Sequence, residues 1–220
     1  SMRYNLTKVN FLSEVKPTSC AYWFNNLPYL TWLKNIKNLN TSNVTDMSFM
    51  FSSCCNLTAL NVSNFDTSKV TNMDSMFYDC SRLASLDVSH FDTSKVTNMH
   101  YMFNGCRLLT TLDVGNFNTS KVTNMKSMFF GCTSLTSLDV SNFNTSKVTD
   151  MSSMFYYCSS LTTLKLGCFN TSKAYYSNIF EHMNTNAMLY TYSQNTKDWI
   201  LNLSSDNRPS AWTTNNIIVQ

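Results

Sequence analysis

Apolar residues recur along this chain with a fixed period of 26 residues. Leucine, phenylalanine, cysteine and the pair Met-Phe each return at that spacing in five successive copies. Self-similarity at a period of about 20–50 residues is typical of repeat architectures. The pattern therefore predicts one structural unit for every 26 residues. The periodic sets are Leu60, Leu86, Leu112, Leu138 and Leu164; Phe65, Phe91, Phe117, Phe143 and Phe169; Met-Phe at 50–51, 76–77, 102–103, 128–129 and 154–155; and Cys54, Cys80, Cys106, Cys132 and Cys158.

The first part of each unit has the pattern of a half-buried strand. Leu86 and Val88 alternate with the polar Ser85, Asp87 and Ser89, and such a period of two places one kind of side chain on each face. The Phe-Asp-Thr-Ser segment at 91–94 follows, where an Asp side chain can close a turn onto its own backbone. This part predicts a strand that ends in a corner.

The second part of each unit predicts a short extended segment and then a helical turn. Residues 96–99 are short and ambiguous, and an extended conformation is favoured. Met99, Met102, Phe103 and Cys106 lie at i, i+3, i+4 and i+7, which is one face of a helix. We therefore expect one or two helical turns that close each unit.

A single unit is not expected to be stable alone. Burying an apolar side chain contributes about 1.5–3 kcal/mol, whereas ordering each residue costs about 1–2 kcal/mol of backbone entropy. Stacked units share hydrogen bonds and pack each Leu, Phe and Met on its equivalents in the neighbouring units. The predicted fold is therefore a repeat solenoid, mostly β or α+β in class, built from 26-residue coils of strand, turn, short extended segment and short helical turn.

The pattern decays at both ends, as expected for coils that close a solenoid. Trp23-Phe24 replaces Met-Phe near the amino end, and Ile179-Phe180 replaces it after residue 173. We predict an N-terminal cap with a degenerate first coil over residues 1–38, a solenoid over 39–173, and a degenerate last coil with a C-terminal cap over 174–220. Within the last region we expect a strand near 189–192, a short helix near 196–203 and a strand over 217–219.

The unit, with its LDVSNFDTSKVTNM core and its closing MFxxC, resembles that of the BspA-like leucine-rich-repeat surface proteins of host-associated bacteria. The resemblance covers residues from about 20 to 180, and Lys-Asp-Trp-Ile at 197–200 also resembles the closing cap of that family. It implies a right-handed, leucine-rich-repeat-like stack. It also implies a secreted or wall-anchored, non-enzymatic protein used in adhesion or in binding host proteins.

Charge and composition exclude several classes of partner. Lys and Arg number 16 against 13 Asp and Glu, and charged residues make up only 13% of the chain, so a polybasic nucleic-acid surface is not expected. No apolar run approaches the roughly 18 residues that a membrane-spanning helix needs. We therefore expect neither nucleic-acid binding nor membrane insertion, and we expect a monomer.

The eight cysteines allow more than one interpretation. Five of them fall at one position of the unit, which favours small apolar side chains that point into the core. Disulfides between successive coils are the alternative, although parallel in-register geometry suits them poorly. A zinc site is less favoured because no Cys-x-x-Cys pair is present. One disulfide among Cys20, Cys55 and Cys168, which break the pattern, stays open.

The titratable residues do not indicate an enzyme. His90, His100 and His182 each fall at a variable position. A column of aspartates on the strand face would place carboxylates about 5 Å apart, and paired carboxylates can act as acid and base. Because duplication alone produces such a column, a solvated acidic stripe is strongly favoured over a catalytic pair, with a weak Ca²⁺ site as a minor alternative. We expect no enzymatic activity, no cofactor and no resident metal.

Positions that vary between coils are where binding specificity can reside, because the other positions are committed to packing. On the strand face these candidates are Asp87, Asp113, Asp139 and Lys165, and at the closing turn they are Tyr78, Phe130, Tyr156 and Tyr157. Exposed aromatic side chains suit sugar rings or a protein partner, but they could instead cover the seam between coils. A third candidate is a column of lysines that could engage a polyanion or could simply solubilise an edge; it comprises Lys69, Lys95, Lys121 and Lys147.

These features predict a bacterial cell-surface recognition module. The regular solenoid surface would bind a protein or glycan of a host or of a neighbouring cell, without catalysis. The expected location is extracellular, either secreted or anchored to the cell wall or surface. The alternative is a structural spacer or stalk that displays another domain and has no ligand of its own.

Overall fold

Successive 26-residue units stack as the turns of a parallel β-solenoid. The computed structural model describes residues 5–220, so the first four residues of the predicted N-terminal cap lie outside the described residues. The solenoid has about eight turns. Its most continuous ladder runs through the predicted second extended segment, where parallel bridges join residues one coil apart: Asp46, Asn72, Asn98, Asn124, Asp150 and Tyr175. The predicted solenoid is confirmed.

The regular strands are short and lie mainly in the terminal coils. Strands β1 and β2 form one parallel pair, and β3, β4, β5 and β6 form a parallel sheet in that order. In the middle coils the strand segment is held by the isolated bridge between Ala59 and Ser85. The strands are β1 (Lys8–Asn10), β2 (Trp32–Lys34), β3 (Ser137–Asp139), β4 (Thr163–Gly167), β5 (Met188–Thr191) and β6 (Ile217–Val219).

The segment that closes each coil is a run of tight turns and differs here from the predicted helical turn. In the coil of residues 73–80, the N–H groups of Met76 and Cys80 donate to carbonyls three residues back, whereas those of Ser75 and Phe77 donate to the next coil. Ser75 and Asp79 have φ values of 54° and 50°. A left-handed residue interrupts an α-helix, and it turns alternate amides toward the neighbouring coil.

Phenylalanine rings stack through the centre of the molecule. The six rings from Phe51 to Phe180 have consecutive centroids 5.6–5.9 Å apart and interplanar angles of 2–7°. Periodic Leu, Val, Met and Cys side chains surround this column and are buried. Each coil thus covers the apolar side chains of its neighbours, as the spacing predicts. The stacked rings are Phe51, Phe77, Phe103, Phe129, Phe155 and Phe180.

Cysteine and threonine form two further internal columns. All eight cysteines are free, and the periodic five are buried, as their spacing predicts. Each periodic thiol donates to a phenylalanine carbonyl of the preceding coil, as Cys106 does to Phe77 over 3.3 Å. Burial raises the pKa of the Cys132 thiol to about 12. The buried hydroxyl of Thr93 accepts from the N–H of Asn118 over 2.7 Å and donates to its carbonyl over 3.2 Å.

The C-terminal elements close the core with a different geometry. The predicted strand lies at Met188–Thr191, the predicted helix is α1 (Gln194–Leu201), and the last strand occupies Ile217–Val219 as predicted. Trp212 is buried, and its indole N–H donates to the carbonyl of Asn184 over 3.1 Å. Short 3₁₀ helices lie at Ile36–Asn38 and Thr214–Asn216. Among the described residues, no helix has the length and apolar character required to span a membrane.

Candidate functional site

The carboxylates of the strand-face aspartates accept hydrogen bonds within local turns. Asp87, Asp113 and Asp139 are exposed, and each accepts a hydrogen bond from the N–H two residues later. Hydrogen bonds from the Ser89 hydroxyl and N–H lower the pKa of Asp87. Lys165 forms an ion pair of 3.1 Å with Asp139. In the described part of the chain, no group of three His, Cys, Asp or Glu side chains could hold a metal.

The lysines of the column are exposed, and the charge of the residues beside them changes along the solenoid. Lys69 donates to the Asn43 side chain over 2.9 Å. In its own coil and the next, an aspartate lies three residues before the lysine, and in the following coils an asparagine takes that place. Positive charge is therefore less compensated toward the C-terminal coils. The lysines are Lys69, Lys95, Lys121 and Lys147, and the preceding residues are Asp66, Asp92, Asn118 and Asn144.

The predicted aromatic residues of the closing turns do meet on one face. Phe130 stacks on Tyr156 with centroids 5.0 Å apart, and Tyr157 stacks on His182 at 4.5 Å. Tyr78 and Tyr157 keep 37% and 45% of their surface exposed. These rings thus both cover seams between coils and present an aromatic surface to solvent. We call the surface formed by the closing turns the turn face.

A groove of about 690 Å³ runs along the turn face. Aromatic rings line it at both ends and in the middle, including Phe49, which stacks on Tyr22 at 4.8 Å. Polar side chains lie between the rings. The groove is lined by Tyr22, Asn25, Phe49, Ser52, Asp74, Ser75, Tyr78, His100, Tyr101, Asn104, Lys126, Ser127, Phe130 and Ser153.

Three polar side chains of this groove occupy one position of the coil, which the sequence reasoning did not identify as a binding position. Asp74, His100 and Lys126 are equivalent residues of three successive coils, and each follows a buried methionine. His100 Nδ1 lies 3.5 Å from an oxygen of Asp74, and its ring packs on Tyr101 with centroids 3.7 Å apart. Burial alone would raise the pKa of Asp74, but hydrogen bonds from neighbouring side chains, His100 first among them, lower it. The variability of this position directly after an invariant methionine was the available signal.

A second depression of about 450 Å³ adjoins the groove and shares Tyr78, Asn104 and Phe130 with it. We call it the trough. Gly105 and Gly131, with φ values of 74° and 67°, lie on its floor. The other lining residues are Asp79, Arg107, Thr133 and Tyr157. Burial raises the pKa of Asp79, and the positive charge of Arg107 only partly opposes this shift.

The turn face therefore combines aromatic surfaces with hydrogen-bonding groups in two connected depressions. Of the predicted site residues, it brings together Tyr78, Phe130, Tyr156 and Tyr157, and the aspartate and lysine candidates lie outside both depressions. Aromatic walls with a few converging polar groups are typical of binding sites. The arrangement favours recognition of a ligand.

A family model described as a Mycoplasma protein of unknown function, DUF285, matches the chain twice, over residues 18–111 and 78–199. The two matches overlap and together cover all the complete 26-residue units. No curated protein matches the sequence.

Proposed function

Because the chain belongs to the DUF285 family of repeat proteins, we propose that it is a cell-surface recognition module that binds a protein or a glycan through its turn face. The family match is compatible with the resemblance to BspA-like surface proteins. In this proposal the protein is extracellular, secreted or surface-anchored, acts without catalysis, and engages a partner on a host or a neighbouring cell.

The observation that carries the proposal is the separation of invariant and variable positions. The position of Met73 is methionine in every central coil and is buried throughout. The next residue changes from coil to coil and lines the groove in three coils, and the residue equivalent to Tyr78 also changes and lines the groove in four coils. The buried methionines are thus constant, while the positions beside them change in charge and in aromatic character, and this difference supports recognition at the turn face. The two variable sets are Ser48, Asp74, His100, Lys126 and Ser152, and Ser52, Tyr78, Asn104, Phe130 and Tyr156.

A spacer function is the second candidate, and the continuous column of stacked phenylalanines favours it. Parallel coils lie about 4.7–4.9 Å apart along a solenoid, so about eight turns make a short stiff rod. Such a rod could hold another domain away from a surface. It would not need the depressions of the turn face.

Binding of the purified chain to intact cells, mucin and extracellular-matrix proteins separates the two functions. The double variant Tyr78→Ser, Phe130→Ser should weaken binding at least tenfold. The fold tolerates serine there because Ser52 occupies the equivalent position.

The matched control is Lys121→Asn, Lys147→Asn, since Asn43 occupies the equivalent position of the lysine column. This control should bind as the unmodified chain does. If the lysine variant loses binding and the aromatic variant does not, the turn face is not the binding surface. If the unmodified chain binds to none of these surfaces, the spacer function is supported instead.

A further inference from the structure

We propose that the trough is a binding site for one ring of an uncharged sugar. This inference rests on the proposed recognition function and names the class of ligand. The trough lies between Tyr78 and Tyr157 on the turn face, and its volume of about 450 Å³ is ample for a single pyranose ring.

The trough exists because two successive coils lack a side chain at the same position. In the other coils this position holds a side chain, from Asn26 to His182. A Cβ atom built on Gly131 would meet nothing closer than the Cα of Gly105, at 4.0 Å. The floor is therefore bare backbone. The equivalent residues are Asn26, Ser53, Asp79, Gly105, Gly131, Tyr157 and His182.

Aromatic rings form the walls above this floor. Tyr78 stands on one side, and Phe130 and Tyr157 stand on the other. A half-exposed aromatic ring offers a large, rigid apolar surface at low conformational cost. The C–H face of a pyranose ring is apolar and of similar size, so it can pack on such a wall.

Three polar side chains in the trough have unused hydrogen-bonding capacity. Asn104 is only 9% exposed, and its side-chain amide makes no hydrogen bond within the described residues. Asp79 and Arg107 also line the trough, and no ion pair joins them in residues 5–220. A carboxylate, an amide and a guanidinium together supply donors and acceptors in planar pairs. Vicinal hydroxyl groups of a sugar match such pairs, because each hydroxyl both donates and accepts.

The charges in the trough favour a neutral ring. Asp79 and Arg107 carry opposite charges, and among residues 5–220 no other charged side chain lines the trough. An anionic sugar would leave the carboxylate of Asp79 facing a like charge. This distinguishes the trough from the lysine column, where an anionic glycan would be attracted.

An extended peptide fits the trough less well than a ring does. The N–H groups of Gly105 and Gly131 both donate to the next coil over 2.8 Å. They are therefore unavailable for the main-chain hydrogen bonds that give affinity when a peptide strand adds to an exposed edge.

The test uses saturation-transfer NMR of the whole chain with methyl glycosides of glucose, galactose, mannose and N-acetylglucosamine. We expect at least one of these neutral glycosides to bind in the millimolar range, and methyl glucuronide to bind at least tenfold more weakly. Gly131→Tyr should weaken binding at least tenfold by filling the trough. The fold accepts this side chain, because Tyr157 holds it at the equivalent position with a φ of 58°.

Asn26→Tyr is the matched control, because it places the same side chain at the same position two coils before Asp79. Its binding should equal that of the unmodified chain. Tyr78→Ser provides a second disruptive variant that does not alter a left-handed residue, and it should also weaken binding.

The sugar assignment is overturned if no neutral glycoside binds, or if binding survives both Gly131→Tyr and Tyr78→Ser. Failure of the assignment is distinguishable from failure of the recognition function. If the turn face binds cells but neutral glycosides neither bind nor compete, the sugar assignment fails and the recognition function stands.

Discussion

Buried threonine hydroxyls fix each corner of the solenoid to the next. Thr93 is 1% exposed, yet its hydroxyl both accepts from and donates to the backbone of Asn118. Buried polar groups are tolerated in protein interiors when they are hydrogen-bonded in this way. The same arrangement recurs at Thr119 and Thr145, so the column specifies register between coils.

Replacing Thr93 by valine should lower the free energy of unfolding by about 1–3 kcal/mol, because the N–H of Asn118 loses its acceptor. Thr93→Ser retains the hydroxyl and should cost about 1 kcal/mol or less. Thr97→Val is the matched control, since the Thr71 carbonyl that its hydroxyl contacts also accepts from the Thr97 N–H. Urea denaturation measures all three. Equal losses for Thr93→Val and Thr97→Val would contradict this role.

Cysteine reactivity should follow burial. Burial raises the pKa of the Cys20, Cys54 and Cys132 thiols to about 12, and only a thiolate reacts readily with an alkylating agent. Native protein treated with iodoacetamide at pH 8 without reductant should therefore be modified first at the exposed Cys168 and more slowly at the half-buried Cys55.

The six buried cysteines should stay unmodified in the native protein and react only in denaturant. Mass spectrometry counts the adducts. Eight adducts in denaturant are expected, and six would show that one disulfide had formed.

At the scale of the element, left-handed residues define the closing turn. Ser53 has a φ of 59° and is half-buried. Glycine adopts this conformation without steric cost, whereas a β-branched side chain does not. The closing turn thus requires residues that can adopt a positive φ. This conformation directs backbone N–H groups toward the next coil.

Ser53→Val should lower the free energy of unfolding by about 1–3 kcal/mol, and Ser53→Gly should leave it unchanged within about 0.5 kcal/mol. Ser63→Val, at an exposed position with ordinary backbone conformation, is the control. Thermal unfolding followed by circular dichroism compares the three. A neutral Ser53→Val would mean that the closing turn is not restricted in this way.

The sequence predicts the coil more fully than the conformation of its closing turn. The 26-residue spacing alone places Leu86, Phe103 and Cys106 in the core, because only stacked coils bring identical residues into contact. A helix and a run of tight turns both put Met99, Met102 and Phe103 on the buried side, so the spacing could not distinguish them. Non-glycine residues such as Tyr101 and Ser75 give no sign in sequence of their positive φ.

The candidate site was predicted only in part for a related reason. Tyr78, Phe130, Tyr156 and Tyr157 were identifiable because large aromatic residues at variable positions stand out. The trough exists because Gly105 and Gly131 carry no side chain. The sequence does not show that aromatic side chains flank these two glycines, so it could not indicate a depression there. His100 was identified at a variable position. Its contact with Asp74 joins two neighbouring coils, and predicting this contact requires knowing how those coils are aligned.

At the scale of the whole molecule, stability is distributed along the solenoid. Each coil contacts chiefly the coil before it and the coil after it, as the one-coil spacing of the bridges shows. In such a molecule, stability is approximately a sum of contributions from coils and from their interfaces. Packing is repeated in every coil, while the variable positions of the turn face are free to serve recognition.

The most direct test of this account is the thermal unfolding of a chain from which one complete coil is deleted. Removing residues 96–121 joins Lys95 to Val122 and restores the repeat, so we predict a folded protein with a cooperative transition at a somewhat lower Tm. Removing only residues 96–108 puts the remaining coils out of register and should abolish the transition. An unfolded 26-residue deletion, or a half-coil deletion as stable as the whole-coil deletion, would contradict the account.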